Sequence, residues 1–261
     1  MLKTDRLNQI EEMLHEYGKV EITDLCRIFN VTDMTIRRDL TDLVKKKVAI
    51  RSHGGAILAP NNILSERPYE LRITRNLTEK KAIAKKALPM IHNGDKVFFD
   101  SSTSAYCLAQ QIPNSLHFVA VTDTLTTALE LNARKNVKVI CLGGEINKST
   151  GSCTGVFADR TLSAMHFDTA FIGLPNVSMT GILSTESITE LSIKKAIITN
   201  SSKSVALVDY SKLGKPDFLE LGQLSDIDVL VTDSKMSTEF TDFCRSLGVE
   251  VLIADLDSHR N

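Results

Sequence analysis

The stretch that decides the fold is ITDLCRIFNVTDMTIRRDLTDLVKK, residues Ile22 to Lys46. Apolar residues recur at helical spacing on both sides of Asn30-Val31, which predicts two short helices joined by a tight turn. Thr32 stands where its hydroxyl can cap the second helix by accepting a backbone N–H bond. This order of elements is typical of a helix-turn-helix, whose second helix enters the major groove of DNA.

The second helix of this motif predicts a DNA-reading face. Its inward stripe comprises Ile36, Leu40, Leu43 and Val44. With that stripe inside, Met34, Thr35 and Arg38 point outward and Arg37 lies at the margin. Arginines can bond to phosphate or guanine, whereas Met34 and Thr35 can contact base edges or thymine methyls. The predicted DNA contacts are Thr32, Met34, Thr35, Arg37, Arg38, Lys45, Lys46, Arg51 and His53.

The flanking segments predict a winged form of the motif. A first helical pattern stops at Gly18, and Val48–Ser52 and Ala56–Leu58 read as strands joined by a turn at His53-Gly54-Gly55. Residues 1–58 are therefore predicted to be a winged helix-turn-helix domain.

The charge distribution supports contact between this domain and nucleic acid. Residues 1–33 carry four Lys/Arg against seven Asp/Glu, whereas residues 34–55 carry six against two. A basic helical face is by itself more often just solvated. Here the turn, the cap, the paired arginines and the basic hairpin coincide, which favours DNA binding.

The composition of the 261 residues predicts a globular protein, with 43% hydrophobic residues, 24% charged residues and a net charge of −1. The five cysteines form no Cys-x-x-Cys pair and read as buried free thiols, which suits a reducing cytosol. The histidines form no metal-like cluster, and no metal or cofactor is expected. The N-terminus shows neither a signal peptide nor a spanning apolar run, so we expect a cytoplasmic protein.

The remaining chain predicts a larger α/β domain. Residues 59–75 read as a linker, and residues 76–261 as an effector-binding and oligomerisation domain. The apolar runs in that region are Val97–Phe99, Phe118–Val121, Val137–Leu142, Thr169–Ile172, Val205–Val208, Val229–Val231 and Val251–Ile253. Helical patterns fall near 104–111, 124–133, 156–165, 188–200 and 238–247. Such alternation favours a mostly parallel, Rossmann-like sheet with helices on both faces.

Polar residues cluster where these strands end, and ligands of open parallel sheets bind beyond the carboxyl ends of the strands. The hydroxyl-rich run after Asp100 enters a helix whose free N–H groups favour an anion. The candidate effector-binding residues are Asp100, Ser101, Ser102, Thr103, Ser104, Thr122, Asp123, Gly143, Gly144, Gly173, Lys194, Asp209 and Lys212.

Each of these features also has a plain structural interpretation. The hydroxyl run can be a simple helix cap, Gly143-Gly144 a tight turn, and Asp209 a turn cap. Lys194 and Glu190 can be an exposed pair one helical turn apart. Their convergence on one edge of one sheet favours a binding site.

Taken together, these segments resemble the DeoR family of bacterial transcriptional regulators. The matching pieces are RLNQIEEML, VTDMTIRRDL, RSHGGAIL, EKKAIAKKAL, DSSTS, ICLGGEIN, TGVFADRTL, TELSIKKAII, VDYSKLGKPDF and LSDIDVLVTD. The resemblance covers nearly the whole chain in order. It implies a repressor of sugar metabolism whose sensor domain has a ribose-5-phosphate-isomerase-like fold and binds a phosphorylated sugar.

The resemblance also implies roles for particular residues. Asp100 and Ser102–Ser104 match the family's phosphate loop, and Lys194, Asp209 and Lys212 match its polar pocket residues. Ser101 stands where Gly is usual and Asp123 where Asn is usual. Gly173-Leu174-Pro175-Asn176 replaces Gly-Ala-Asp-Gly. The last two changes are expected to touch the sugar.

Two alternatives stay open at this level. The first is an isomerase with an appended DNA-binding domain, for which Asp100 and Glu145 are the remaining candidate bases. The Lys-Gly-Gly-Gly loop and acidic cluster of such isomerases are missing, so a non-enzymatic regulator is favoured. The second alternative is an activator instead of a repressor.

Pairs of recognition helices read two-fold sites, so we expect a homo-oligomer, a dimer or a tetramer.

Overall fold

The computed structural model describes residues 2–59, 69–214 and 216–256. Its internal contacts divide the chain into two compact units, residues 1–67 and 68–261. Most of the predicted linker, residues 60–68, lies outside the described residues. Within the rest of that range, Tyr69–Thr74 form a short helix. The proposed limits 1–58, 59–75 and 76–261 stay a prediction.

The first unit is a winged helix-turn-helix. Its elements are α1 (Lys3–Tyr17), β1 (Lys19–Glu21), α2 (Ile22–Phe29), α3 (Asp33–Lys45), β2 (Ala49–Ser52) and β3 (Gly55–Leu58). The three strands form an antiparallel sheet in the order β1-β3-β2. The three helices and the hairpin were predicted. β1 was not, because three residues are too few to show an alternating pattern.

Local sequence signals end and begin these helices where expected. Gly18 ends α1 in the left-handed region with φ 71°, and Asn30 does the same after α2 with φ 50°. The hydroxyl of Thr32 accepts a bond from the backbone N–H of Thr35 at 3.4 Å and so caps α3. The apolar faces of the three helices then close on one core, which contains Ile10, Leu14, Leu25, Ile36, Leu40 and Leu43.

A buried ion pair joins α1 to α3. The Arg6 guanidinium donates from Nε to Asp39 Oδ2 at 2.6 Å and from Nη2 to Asp39 Oδ1 at 3.3 Å. The side chains are only 9% and 1% exposed. Because both carboxylate oxygens are engaged by one planar group, the pair fixes the orientation of α3 against α1.

The second unit is built on a parallel sheet of seven strands within the described residues. The strands are β4 (Lys96–Phe99), β5 (Phe118–Thr122), β6 (Val137–Cys141), β9 (Thr169–Gly173), β12 (Ser204–Leu207), β15 (Val229–Asp233) and β16 (Glu250–Ala254). Their order is β16-β15-β12-β9-β4-β5-β6. The α/β class and all seven apolar runs predicted as strands are confirmed.

Helices cover both faces of this sheet. Two buried clusters lie between the helices and the sheet, one containing Phe98 and the other Phe99. They are α4 (Tyr69–Thr74), α5 (Leu77–Ala87), α6 (Thr103–Gln110), α7 (Leu125–Asn132), α8 (Val156–Ser163), α9 (Ile188–Thr199) and α10 (Thr238–Ser246). Alternate side chains of one strand point to opposite faces, so neighbouring residues Phe98 and Phe99 enter different clusters.

The strand order reverses between β4 and β9. From β4 the chain runs outward through β5 and β6, and after β9 it runs the other way through β12, β15 and β16. Connections leave such a pair of strands in opposite directions, which opens a crevice outside their carboxyl ends. Asp100 and Gly173 lie at that point of the fold.

The second unit also contains smaller sheets, which the sequence did not predict. Strands β10 (Asn176–Ser178), β11 (Ile182–Thr185), β13 (Leu213–Gly214) and β14 (Leu219–Gln223) form one of them in the order β13-β10-β11-β14. Strands β7 (Glu145–Ile146) and β8 (Cys153–Thr154) form a hairpin. Among the described helices, none combines the length and apolar character needed to span a bilayer.

The cysteines are all free thiols, but not all are buried as predicted. Cys107, Cys153 and Cys244 are buried, whereas Cys26 and Cys141 are half-buried. Across the described residues no group of histidine, cysteine and carboxylate side chains could hold a metal ion.

Candidate functional site

The outer face of α3 carries side chains suited to reading base edges. Met34 is 60% exposed, Arg38 is exposed and Thr35 is half-buried. The inward stripe leaves these three on one side, because residues three and four apart share a helical face. The structure therefore places the predicted contacts Met34, Thr35 and Arg38 together, although their contact with DNA stays a prediction.

Arg37 is engaged within its own helix. Its Nε bonds to Asp33 Oδ1, and its Nη2 bonds to Asp33 Oδ2 at 3.1 Å. The Asp33 carboxylate raises the pKa of Arg37 further above its already high value. An exposed pair of this kind is weak and opens readily. In the described conformation, however, Arg37 offers DNA less of its guanidinium than Arg38 does.

Arg51 ties the wing to the recognition helix. From β2 its Nη2 donates to the Arg37 carbonyl oxygen at 2.6 Å and to Thr41 Oγ1 at 2.9 Å. The sequence predicted Arg51 only as a DNA contact and did not show this bracing role. Of the other predicted contacts, Lys45, Lys46 and His53 are exposed, and Thr32 bonds to Thr35.

Asp100 is the hub of the crevice between β4 and β9. Its Oδ1 accepts from the backbone N–H of Ser102 at 3.0 Å, and its Oδ2 accepts from the N–H of Gly173 at 2.9 Å. The same Oδ2 accepts from Lys194 Nζ at 2.5 Å. Asp100 thus joins the two diverging strand ends to helix α9.

Lys194 is buried, and three protein groups surround its ammonium. Besides Asp100, Nζ donates to the Gly173 carbonyl oxygen at 2.6 Å and lies 3.5 Å from Glu190 Oε1. Burial opposes the charge, but the Asp100 and Glu190 carboxylates outweigh it and raise the pKa of Lys194. The interpretation of Lys194 and Glu190 as an exposed surface pair is therefore wrong.

Glu190 completes this network from the next turn of α9. Burial disfavours its charge, yet the neighbouring Lys194 ammonium and the Thr185 hydroxyl, which donates to Oε2 at 2.7 Å, lower its pKa below the ordinary value. Two buried carboxylates consequently share one buried ammonium. The Lys194 ammonium faces Asp100, Gly173 and Glu190 in this arrangement, which supports a role in holding the crevice in shape.

Gly173 is required by close packing at the switch point. A Cβ built on Gly173 would lie 2.2 Å from the Ser102 Cβ and 2.5 Å from its Oγ. Ser102 needs that position because its Oγ accepts from the N–H of Ala105 and caps α6. The glycine at the end of β9 thus lets α6 begin directly against the sheet.

The first turn of α6 retains free backbone donors. Over the described residues, neither the N–H of Thr103 nor that of Ser104 bonds within the protein. The side chains of Ser101, Thr103 and Ser104 are all buried at this end of the helix. Free N–H groups and the positive end of the helix dipole together favour an anion.

A second cluster borders the same helix start. Asp209 Oδ1 accepts from Asn76 Nδ2 at 2.8 Å and from Ser211 Oγ at 2.6 Å. Lys80 Nζ donates to the carbonyl oxygens of Arg72 and, at 2.6 Å, Arg75. Burial, with help from the nearby Lys212 charge, lowers the pKa of Lys80 to about 8. Lys212 and Asp209 therefore lie near Lys80, and their role in effector binding stays a prediction.

Sequence analysis did not assign Arg72, Asn76 or Lys80 to the site. Lys80 is one of four lysines in the segment EKKAIAKKAL, and the sequence does not single it out from the others. Its near-complete burial on α5 could have been suspected only from its place on the apolar stripe with Ile83 and Ala87. Arg72 lay in the predicted linker and gave no periodic signal.

Asp123 is a buried carboxyl with an unused oxygen. It follows β5, is 2% exposed, and its Oδ1 has no hydrogen-bond partner among the described residues. Burial, with a smaller effect from the Asp100 charge, raises the pKa of Asp123 to about 8. Thr122 lies beside it and uses its hydroxyl locally, as acceptor for the N–H of Thr124.

Gly143 and Gly144 lie farther along the edge. They follow β6, two strands from β4, and are exposed at the start of the β7–β8 hairpin. The hairpin reaches back to the neighbouring strand end, since the N–H of Cys153 donates to the Asp123 carbonyl oxygen at 2.6 Å. The structure thus supports a turn at these glycines and does not bring them against Asp100 or Lys194 by any described bond.

The two units together define a class: a winged helix-turn-helix protein with an α/β unit that has a polar crevice at its switch point. Residues 6–61 match the family described as DeoR-like helix-turn-helix domain, and residues 75–234 match the DeoR C terminal sensor domain. The chain belongs to the DeoR family of transcriptional regulators, which confirms the resemblance drawn from its motifs.

The chain is also similar in sequence to curated regulators over most of its length. It is 30% identical over 261 residues to the HTH-type transcriptional repressor GlcR of Bacillus subtilis, covering 100% of both chains. It is 31% identical to the glycerol-3-phosphate regulon repressor of Escherichia coli, over 90% of this chain and 92% of the relative. It is 33% identical to the lactose phosphotransferase system repressor of Streptococcus mutans, over 89% and 93%.

Solved structures give more distant likenesses. Ribose 5-phosphate isomerase A from Methanocaldococcus jannaschii has a TM-score of 0.39 and 18% identity, over 52% of this chain and 54% of that one. The translation initiation factor eIF-2B of Pyrococcus horikoshii has a TM-score of 0.46 and 11% identity, over 88% and 89%. The assignment to the family therefore rests on the sequence matches.

Proposed function

We propose that this chain is a cytoplasmic repressor of a sugar-metabolism operon and that a phosphorylated sugar controls its affinity for operator DNA. The ligand would bind at the crevice between β4 and β9 and would shift the protein between states of different operator affinity. A coupling of about 1–3 kcal/mol changes that affinity roughly 5–150-fold. The single observation that carries the proposal is the presence, in one chain, of an exposed recognition helix and an anion-ready helix start.

The DNA-binding half of the proposal is supported by the surface of α3. Met34 and Arg38 are exposed on a helix that the Arg6–Asp39 pair holds in place, and Arg51 braces the wing against it. An arginine can bond in a fork to guanine O6 and N7, while lysines such as Lys45 and Lys46 add sequence-independent phosphate contacts.

The effector half is supported by the start of α6. Two free N–H groups, the buried hydroxyl side chains and the neighbouring Lys80 charge provide donors and positive potential for a phosphate group. The names of relatives add sugar-related regulation: glycerol 3-phosphate in one case and a lactose phosphotransferase system in another. Asp123, which stands where the family usually has Asn, would affect which sugar is accepted.

A direct test measures operator binding with and without candidate ligands. DNA fragments selected by the full-length chain are labelled, and their dissociation constant is measured by fluorescence anisotropy at fixed salt. A panel of phosphorylated sugars is compared with the same sugars lacking phosphate. We expect one phosphorylated sugar to lower operator affinity and its unphosphorylated partner to leave it unchanged. Equal responses to both, or none to any, would contradict the proposal.

The relatives are named as regulators, and the crevice supports that function over an isomerase. A proton shuttle needs a carboxylate that is free to act as base. Asp100 is instead engaged by Ser102, Gly173 and Lys194, and Glu145 is exposed on β7. Incubating the protein with the same sugar phosphates and following conversion by NMR separates the two functions. We expect no turnover.

Homo-oligomers are part of the proposal because two recognition helices read the two halves of a symmetric operator. The expected state is a dimer or a tetramer. Light scattering coupled to size-exclusion chromatography measures it directly. A monomer at all concentrations that bind DNA would contradict this part.

A further inference from the structure

Four exposed apolar side chains lie at one end of the second unit. They are Val156 and Phe157 on α8, Ile188 at the start of α9 and Phe218 just before β14. Each is 64–73% exposed, and apart from Leu129 no other large apolar side chain described in this unit exceeds 51%. These four residues form the apolar patch. Adjoining apolar side chains that remain this exposed mark interaction surfaces.

The pairing of α8 with α9 makes two members of the apolar patch neighbours. Both helices lead into adjacent parallel strands, β9 and β12, and therefore run in the same direction. The Ser192 hydroxyl donates to Asp159 Oδ1 at 3.5 Å, which joins the helices side by side. Val156 and Ile188 lie one turn earlier on their helices, so they also face each other across this groove.

Phe218 lies at the same level of the unit. Thr185 at the end of β11 pairs with Leu219 in an antiparallel register, so Phe218 lies opposite the residues that lead into α9. Ile188 begins that helix, which packs against β14. The apolar patch therefore extends from α8 across the start of α9 to the beginning of β14.

The area of the apolar patch suits a protein interface. A buried phenylalanine covers about 150–250 Å², so the exposed parts of the four side chains amount to an area on the order of 500 Å². An interface of standard size buries about 800 Å² on each partner, and about 65% of a homodimer interface is apolar. The apolar patch supplies that apolar share.

The charges on α8 favour a second copy of this chain as the partner. Asp159 and Arg160 are exposed beside Val156 and Phe157, and neither forms an ion pair among the described residues. A two-fold axis that crosses α8 at right angles sets two copies of the helix antiparallel, so that Asp159 of each copy can meet Arg160 of the other. A partner of one charge sign would instead be repelled by one of the two side chains.

The end of α8 offers room for the large side chains at its start. Thr161, Ser163 and Ala164 are exposed there, and all three are small. In the same antiparallel arrangement, Phe157 of one copy lies over these small residues of the other. Large side chains that face small ones allow the close packing found in the core of stable interfaces.

We propose that α8 and the apolar patch form a two-fold interface between two copies of this chain, with Phe157 in its apolar part and Asp159 paired with Arg160 across the axis. The inference rests on the proposed function for the presence of a homo-oligomer. It goes beyond that function by assigning the surface that joins the copies and the residues that select the partner.

The first test removes the apolar contact. Phe157→Ser is compared with Leu129→Ser in the full-length protein, because Leu129 is equally exposed but lies on α7, which covers the opposite face of the sheet. Sedimentation equilibrium measures the association constant. We expect Phe157→Ser to weaken association on the order of 10- to 100-fold and Leu129→Ser to leave it unchanged. Equal effects of the two variants, or no effect of Phe157→Ser, would overturn the inference.

The second test exchanges the charges. Asp159→Arg and Arg160→Asp each place like charges across the axis, so each variant should associate weakly by itself. A mixture of the two variants places opposite charges at both pairs again, and we expect the mixture to associate as strongly as the unaltered protein. A mixture that associates as weakly as either variant alone would show that the residues do not pair across the axis and would overturn the inference.

Two further outcomes separate this inference from the proposed function. If the α8 variants associate normally while a phosphorylated sugar releases operator DNA, the interface is overturned and the proposed function stands. If the variants dissociate as expected but no phosphorylated sugar affects operator binding, the interface stands and the proposed function fails. An unaltered protein that stays monomeric would overturn the interface.

Discussion

Lys194 Nζ lies 2.5 Å from Asp100 Oδ2, and this buried contact fastens helix α9 to the point where the sheet changes direction. Both side chains are 1% exposed. Because Nζ also bonds to the Gly173 carbonyl oxygen, one ammonium group holds the ends of both β4 and β9. The ends of these strands form the proposed effector crevice, so the shape of the crevice depends on a single charge.

Replacing Lys194 should therefore destabilise the protein instead of only removing a ligand contact. Lys194→Met leaves the Asp100 and Glu190 carboxylates buried without their cation, and we expect a loss of about 3–5 kcal/mol in the free energy of unfolding. Urea denaturation followed by circular dichroism measures it. Lys195→Met is the control, because Lys195 is the exposed neighbour on the same helix. Equal stability of the two variants would refute the role assigned to Lys194.

Gly173→Ala should disrupt the same junction by crowding. Its new methyl group would stand 2.2 Å from the Ser102 Cβ, so α6 or β9 must move. Overpacking of this kind costs about 1–3 kcal/mol, which thermal melting can detect. The matched control is Gly143→Ala, whose added Cβ would meet no atom within 4 Å. A Gly173→Ala protein that melts at the same temperature as this control would show that the junction accommodates the added methyl group.

Arg38→Ala should weaken specific operator binding more than Arg37→Ala. Arg38 is exposed on α3 and has no side-chain partner among the described residues, whereas Arg37 is held by Asp33. Loss of a base contact costs about 1–3 kcal/mol, or roughly 5- to 150-fold in affinity. Anisotropy with the operator and with an unrelated duplex separates specific from general binding. Equal losses of operator affinity for both variants would contradict this assignment of Arg38, and so would a change in the melting temperature of both variants.

Asp123 should make stability fall as pH rises. Its native pKa of about 8 lies above the ordinary value of 3.8, so its contribution to stability is complete below pH 3.8 and is lost as pH rises through about 8. The groups facing it are Asp100, Lys194, Glu190, Cys141 and Cys153. Asp123→Asn should remove this loss, so the stability of the variant relative to the unaltered protein should increase between pH 5 and pH 8.

Thermal melting across that pH range measures the difference. The control is Asp242→Asn, because Asp242 is an exposed carboxylate on α10. We expect the melting difference between Asp123→Asn and the unaltered protein to grow with pH and that of the control to stay flat. A constant difference would show that Asp123 ionises at an ordinary pH.

Lys80 should make phosphate binding decrease at alkaline pH. Because its pKa is lowered to about 8, the unliganded protein loses this charge as pH rises above that value, and a bound phosphate loses an attractive partner. Calorimetry with inorganic phosphate should show weaker binding at pH 9 than at pH 7.5. Lys80→Met should bind weakly at both. Lys81→Met, altered at the exposed neighbour, should keep the pH dependence.

The secondary structure could be read largely from apolar periodicity. Seven strands of the second unit were predicted because strands covered on both faces appear as continuous apolar runs, and five helices because their apolar residues recur at helical spacing. The strands of the β13-β10-β11-β14 sheet were missed because they are two to five residues long and mix apolar with polar residues. Their pairing depends on contacts distant in sequence, which a local pattern does not carry.

The site was predicted only in part, for a similar reason. Asp100 and Gly173 were found because they directly follow strands. Lys80 and Arg72 precede the sheet along the chain, and only folding brings the Arg72 carbonyl against Thr103 and Lys80. Lys194 was selected correctly as a residue of this region, but its sequence neighbours could not show whether its charge meets solvent, a ligand or two carboxylates.

The buried Arg6–Asp39 pair has a consequence for how salt titrations of this protein should be read. Dissolved ions screen exposed charges strongly but reach a buried pair much less. Rising ionic strength should therefore weaken lysine contacts to the DNA backbone while leaving the tilt of α3 unaltered. The slope of the DNA-binding constant against salt concentration, on logarithmic axes, then reports the number of released counterions. A change in the orientation of α3 makes no contribution to it.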